Sequence, residues 1–221
     1  MTSKPLNITI VSDKNSWINT HIAVLKKRVK NMGHLVDSIH SVMDLKQGDI
    51  AFFLGCGEII PENLLMVNTH NLVVHGSALP LGKGWSPLTW QILEGKNRIM
   101  VTLFEAEKFI DSGDIYLQEE IHFTGYELVD DLRKKLGKCS IRLCKKFIEN
   151  YPSIIASART PEGAESYYRK RSPEDSRLDP DKTLREQFNL MRVADNTNYP
   201  LYFEINNYQF ELTIKKKFDN T

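Results

Sequence analysis

The first two-thirds of this chain alternates short Ile/Val-rich runs with longer segments whose apolar residues recur at helical spacing, and few chain topologies satisfy that alternation. Leu6 to Val11 reads as a strand ending in the polar loop 12–16. Trp17 to Met32 sets Ile18, Ile22, Leu25 and Val29 on one helical face, and Gly33 stands where a helix stop is expected. His34 to His40 reads as a second strand. Asp49 to Leu54 is nearly all apolar, as a strand buried on both faces must be. Pro61 opens a short helical piece and Asn71 to His75 is the next strand. A helix over Pro87 to Glu94 precedes a strand from Arg98 to Phe104, and Asp114 to Phe123 alternates as another strand. Tyr126 to Asn150 is a long amphipathic helix closed by Tyr151-Pro152. Strands alternating with helices require parallel crossovers, which predicts an α/β fold with an open, mostly parallel sheet. Ligands of such sheets bind beyond the carboxyl ends of the strands.

The texture changes after Pro152. Residues 157–182 are polar, carry Pro161, Pro173 and Pro180, and read as mostly irregular chain. Lys182 to Val193 looks like a short helix. Leu201 to Ile205 and Tyr208 to Ile214 alternate around Asn206-Asn207, a tight-turn pair because Asn tolerates positive φ. This divides the chain into a catalytic-type domain over 1–155 and a C-terminal extension of loop, short helix and β-hairpin over 156–221. The exposed edge of that hairpin makes a homodimer the expectation.

Composition excludes several classes. With 41% hydrophobic and 26% charged residues and a net charge of +1, the chain is an ordinary globular protein. The polar lead Met1-Thr2-Ser3-Lys4-Pro5 has no secretory character, and no apolar run approaches the ~20 residues of a membrane span. A cytoplasmic protein without a membrane partner is expected. Cys56, Cys139 and Cys144 are an odd number at no metal-ligand spacing, so no disulfide framework and no metal are expected, and Cys139 and Cys144 fit a helix core. The runs Arg169-Lys170-Arg171 and Lys215-Lys216-Lys217 are too short for a nucleic-acid groove, so no nucleic-acid partner is expected. They leave room for a phosphate contact.

Chemistry concentrates in Val73-Val74-His75-Gly76-Ser77-Ala78-Leu79-Pro80-Leu81-Gly82-Lys83-Gly84-Trp85-Ser86-Pro87, where a strand delivers a histidine to a Gly/Pro-rich loop and a helix start. Farther on, a strand leads to Ile110-Asp111-Ser112-Gly113-Asp114. Singly, each piece reads as structural: a lone histidine, an ordinary turn, and a glycine loop without the Walker pattern. In order, His75, Ser77, Leu79, Pro80, Gly84, Pro87, Asp111, Gly113 and Asp114 resemble the formyltransferase family, with its His-x-Ser-x-Leu-Pro motif and downstream Asp-x-Gly-Asp turn. The resemblance is strong over about residues 45–125. It implies the Rossmann-like formyltransferase fold.

By that resemblance His75 is the general base toward an attacking amine and Asp111 orients and charges its ring. The donor implied is N10-formyltetrahydrofolate, a co-substrate, its pterin held near Leu79, Gly84, Phe104, Ile110 and Asp111. The family normally carries Asn two residues before the histidine, and here stands Val73, whose side chain cannot donate to a tetrahedral oxyanion. A backbone N–H, an ordered water, Ser77 or Cys56 could substitute. The departure leaves an active branch with a rebuilt oxyanion site, or a silent folate- or nucleotide-sugar-binding homologue; hydrolysis of the formyl-folate is a third outcome. The active branch is the expectation, because His75, Asp111 and the loop between them are intact.

Tyr168 to Asp179 looks like the Arg-x-Pro-x-Asp-Ser-x-Ile/Leu-Asp segment of sugar N-formyltransferases, and also reads as a tether for the C-terminal extension. The resemblance therefore implies a nucleotide-linked amino-dideoxy sugar as acceptor, for surface polysaccharide biosynthesis. Gly82-Lys83-Gly84-Trp85-Ser86-Pro87 looks like the branch acting on 4-amino precursors of pseudaminic-acid-type sugars. Lys14, Trp17, Ser77 and Lys83 are the candidate substrate contacts. Trp17 either stacks on a base or is the first core residue of its helix.

Overall fold

The computed structural model describes residues 4–217 of the chain; Met1, Thr2 and Ser3 of the polar lead lie outside the described residues. In chain order its elements are β1 (Asn7–Val11), α1 (Asn19–Asn31), β2 (Leu35–Ile39), β3 (Gly48–Phe53), β4 (Asn68–His75), β5 (Lys83–Gly84), α2 (Pro87–Leu93), β6 (Arg98–Glu105), β7 (Ile115–His122), α3 (Val129–Glu149), β8 (Tyr167–Tyr168), α4 (Phe188–Arg192), β9 (Leu201–Ile205) and β10 (Tyr208–Leu212). Six strands form one sheet in the order β2-β1-β3-β4-β6-β7. The pairs β1–β2, β1–β3 and β3–β4 are parallel, whereas β6 runs antiparallel to both β4 and β7. The expected open, mostly parallel α/β sheet is therefore present. Among the described residues no helix is long and apolar enough to cross a membrane.

The apolar run of β3 is read on both faces. Ile50 and Phe52 join the main core with Leu25 and Val29 of α1 and Cys144 and Phe147 of α3. Ala51 and Phe53 point the other way, into a second cluster with Val11, Val42 and Leu45. Each such fully buried large side chain contributes about 1.5–3 kcal/mol relative to exposure. Cys139 and Cys144 are buried in the α3 interface, as their helical placement predicts. Gly33 ends the α1 turn at φ 86°, a backbone conformation that glycine adopts without penalty.

Beyond α3 the chain returns across the sheet end. Arg159 exchanges two backbone hydrogen bonds with Ile115. The segment expected to be irregular contains β8, which pairs parallel with β5 in the register Lys83↔Tyr167 and Gly84↔Tyr168. The helix expected over 182–193 shrinks to α4. Thr183 and Glu186 exchange the two bonds of a capping box, and 184–187 then run as turns before α4. The Gln187 side chain bonds the Asp179 N–H and carbonyl and the Lys182 carbonyl. The hairpin β9–β10 turns at Asn206 and Asn207, both at positive φ, as their sequence implies. Arg192, almost wholly buried, donates from Nε to the Glu127 carbonyl and so joins α4 to the start of α3.

Candidate active site

The carboxyl end of β4 delivers His75, which is 8% exposed. Its Nε2 lies 2.8 Å from the Gly82 carbonyl oxygen. A carbonyl can only accept, so in the neutral ring Nε2 carries the hydrogen and Nδ1 keeps the lone pair. Asp111 Oδ2 stands 3.6 Å from the same Nε2, within ion-pair reach, and accepts the Gly84 N–H at 2.8 Å. The Phe104 ring meets the imidazole edge-on, with centroids 6.5 Å apart.

Asp111 is held at φ 51°, a left-handed conformation that aspartate adopts more readily than most residues. The loop that carries it is closed between β6 and β7 by the Glu105 N–H bond to the Asp114 carbonyl. Gly113 passes so close to the Glu105 carbonyl that a Cβ would collide with it. The Glu105 carboxylate in turn accepts from the Asn71 N–H and the Tyr116 hydroxyl and pairs with His70 Nδ1. Burial first, and then the Glu105 carboxylate, hold the Tyr116 hydroxyl well above its ordinary pKa, so it stays a donor. Asn71 spends its Nδ2 on the Leu65 carbonyl and does not line the cavity in front of His75.

That cavity, about 630 Å³, opens beyond the strand ends. His75, Asp111, Gly84, Phe104, Ile110 and Trp17 all line it. Trp17 also packs on the main core, so its two readings are compatible. Val73 lines it too, on the His75 side of β4. Four other expected site residues do not. Lys14 is exposed between Asp13 and Asn15, which do line the cavity, and its carbonyl accepts from the Asn19 side chain. Leu79 packs into a small buried cluster with Phe104 and Ile115. Ser77 is buried, its carbonyl accepting from the Thr102 hydroxyl and its own hydroxyl unpartnered. Lys83 turns its buried ammonium away to Glu165 at 2.6 Å and over the Tyr167 ring. Burial opposes that charge, but Glu165 and Tyr167 outweigh it and raise the Lys83 pKa.

Cys56 lines the cavity as a neutral thiol. Burial chiefly, with the Asp13 and Glu58 carboxylates beside it, pushes its pKa up to about 11 against a favourable backbone bond. A further part of the lining comes from residues that the sequence does not mark as a site. Arg133 of α3 pairs with Asp195 at 2.8 Å, Arg171 lies 4.9 Å over the Tyr199 ring, and Lys170 and Asn198 complete the wall. Only the basic run 169–171 gave a signal for it, as a phosphate contact. Burial lowers the Arg171 pKa from its usual value without threatening its charge. Among the described residues no group of His, Cys, Asp or Glu is arranged to hold a metal ion.

The formyl transferase family model matches residues 7–144. The chain belongs to the formyl transferase family. The matched span holds both His75 and Asp111, whereas Lys170, Arg171 and Tyr199 lie beyond it. Two methionyl-tRNA formyltransferases, from Mycoplasma capricolum subsp. capricolum and Bacillus subtilis, are 27% and 28% identical to this chain over 177 and 189 residues. Those alignments cover 78% and 83% of this chain but 56% and 58% of the relatives, so it spans little more than half their length. Among solved structures, methionyl-tRNA formyltransferase from Clostridium thermocellum shares the fold at a TM-score of 0.81 and 20% identity, over 98% of this chain and 96% of its own. A 4-N formyltransferase from Francisella tularensis shares it at a TM-score of 0.69 and 20% identity, over 97% and 99%.

Proposed function

We propose that this formyl transferase family chain moves the formyl group of N10-formyltetrahydrofolate onto the free amine of a nucleotide-linked amino-dideoxy sugar. The observation that carries the reading is the His75–Asp111 pair at the cavity wall, with Nε2 of His75 committed to Gly82 and Nδ1 left as the base. The acceptor amine attacks the formyl carbon as Nδ1 takes its proton, and the Asp111 carboxylate favours the imidazolium that forms. Collapse of the tetrahedral adduct breaks the bond to N10 of the folate, and the His75 imidazolium gives the proton it took to that departing nitrogen, which restores the neutral ring. Phe104, Phe109 and Ile110 offer the folate ring an apolar slot beside the reacting pair.

The wall of Arg133, Lys170, Arg171 and Tyr199 favours an acceptor that carries phosphate and a flat ring, as a nucleotide-linked sugar does. A 4-amino sugar of the pseudaminic-acid type is the narrower proposal, resting on the form of the 82–87 loop. A second reading, methionyl-tRNA as acceptor, is favoured by the names of the relatives above. Purified protein incubated with N10-formyltetrahydrofolate and a panel of UDP- and dTDP-linked 3-amino and 4-amino sugars, with methionyl-tRNA as a further acceptor, separates the readings by mass spectrometry. A formylated sugar is expected. Formylated methionyl-tRNA alone would replace the acceptor, free formate would make the chain a hydrolase, and folate binding without turnover would make it a silent homologue.

A further inference from the structure

The loop that holds the catalytic pair is itself gripped from outside the family-matched span. Gly82 presents the carbonyl that fixes His75 Nε2, and Gly84 presents the N–H that fixes Asp111. Residues 165–168 lie across this loop as a strap. The Ser166 hydroxyl accepts the Gly82 N–H at 2.8 Å, and the Ser166 carbonyl accepts the Lys83 N–H at 2.9 Å. The Glu165 carboxylate holds the buried Lys83 ammonium at 2.6 Å, and the Tyr168 carbonyl accepts the Trp85 N–H at 3.0 Å. The strap is anchored in its turn. Tyr168 stacks on Trp90 and donates to Glu94, while the Trp90 indole N–H donates to the Arg169 carbonyl beneath the Arg169 guanidinium.

We propose that Glu165 and Ser166 are positioning residues for catalysis: through Gly82 and Lys83 they set the loop that dictates the tautomer and orientation of His75. This rests on the reading of His75 as the base. The chemistry requires the lone pair at Nδ1, and the Gly82 carbonyl, at 2.8 Å from Nε2 against 3.6 Å for Asp111, is the hydrogen-bond acceptor that keeps the proton on Nε2. Gly82 lacks a side chain to anchor it and sits at φ 70°, so the loop at this point is defined by what binds its backbone. The Ser166 hydroxyl and the Glu165–Lys83 pair supply that definition, from a segment 82 to 84 residues away in sequence.

The test compares wild type with the double variant Glu165→Ala/Ser166→Ala, by imidazole nitrogen chemical shifts in NMR and by transfer kinetics. Wild-type His75 is expected as the Nε2–H tautomer and the double variant as a mixture. Its kcat is expected to fall on the order of tenfold with both KM values within about twofold, the signature of misorientation rather than lost binding. Ser166→Thr, which keeps the hydroxyl, should recover the wild-type tautomer. A folded double variant with the wild-type tautomer and kcat overturns the proposal. Should the double variant not fold, Ser166→Ala is read alone, and an unchanged His75 spectrum overturns it. The NMR readout needs no acceptor, so failure of the strap and failure of the formyl-transfer reading are told apart.

Discussion

At the residue scale the chemistry turns on which atoms have nothing else to do. His75 has Nε2 engaged by Gly82, which leaves Nδ1, and Asp111 Oδ2 accepts the Gly84 N–H while standing 3.6 Å from Nε2. His75→Ala should reduce kcat by about 10²–10⁴, the usual worth of general base catalysis. Its urea midpoint should fall modestly, because the buried ring leaves the Gly82 carbonyl without its donor, while the fold persists; near-normal turnover would exclude His75 as the base. Val73 is the more informative position. It lines the cavity on the His75 side of β4, where the family pattern has an asparagine, and Ser77 does not reach that cavity. Cys56 does, but as a neutral thiol it is only a weak donor. Val73→Asn should therefore raise kcat by on the order of tenfold or more, as a restored oxyanion donor would. An unchanged kcat would mean that a backbone N–H or water already serves. The sequence motif picked out His75 and Asp111, which the structure brings together at the cavity, because both sit at fixed places in one loop system. It did not find the fate of Lys83, because the partner that draws the ammonium away is Glu165, and a local pattern carries no information about so distant a pairing.

At the scale of elements, the strands and helices of the main sheet are legible because each is specified by its own periodicity. β3 is a continuous apolar run, and it is buried on both faces. α1 repeats Ile22, Leu25 and Val29 along one buried face. The β5–β8 pair has no such signal, since two residues show no period, and its partners are far apart in sequence. Its constraint is a glycine. Gly84 has φ 92°, and a Cβ there would run into the Tyr168 carbonyl oxygen. Gly84→Ala should cost about 1–3 kcal/mol of stability from the strained backbone and the collision together. It should also lower kcat, because the Gly84 N–H that holds Asp111 shifts with the loop. Chemical denaturation and single-turnover kinetics on the same preparation check both halves. A variant with full stability and full turnover would show that β8 yields without disturbing the pair.

At the scale of the whole molecule, the C-terminal elements are attached to the sheet domain through charges that are scarcely solvated. Glu127 accepts the Thr124 and Gly125 N–H groups and the Lys135 ammonium, and Arg192 approaches its carboxylate to 3.7 Å. Burial opposes the Glu127 charge, but the backbone donors at 124 and the Lys135 ammonium outweigh it and take its pKa from 4.5 down to about 2. Asp195, facing Arg133, is lowered as well. A carboxylate depressed in the folded state contributes stability that is complete above its unfolded pKa and is lost as pH falls through the folded one. For Glu127 that window runs from 4.5 down to about 2. Glu127→Gln should therefore lower stability at pH 7 by roughly 3 kcal/mol, taking ~1.4 kcal/mol per pKa unit. The gap to wild type should then narrow as acid protonates the native carboxylate, most of it closing between about pH 4.5 and pH 2. Urea midpoints of the two proteins at neutral pH and at two acid values give the curve. A gap that stays constant across the series would assign the loss to packing around the start of α3 rather than to the Glu127 charge.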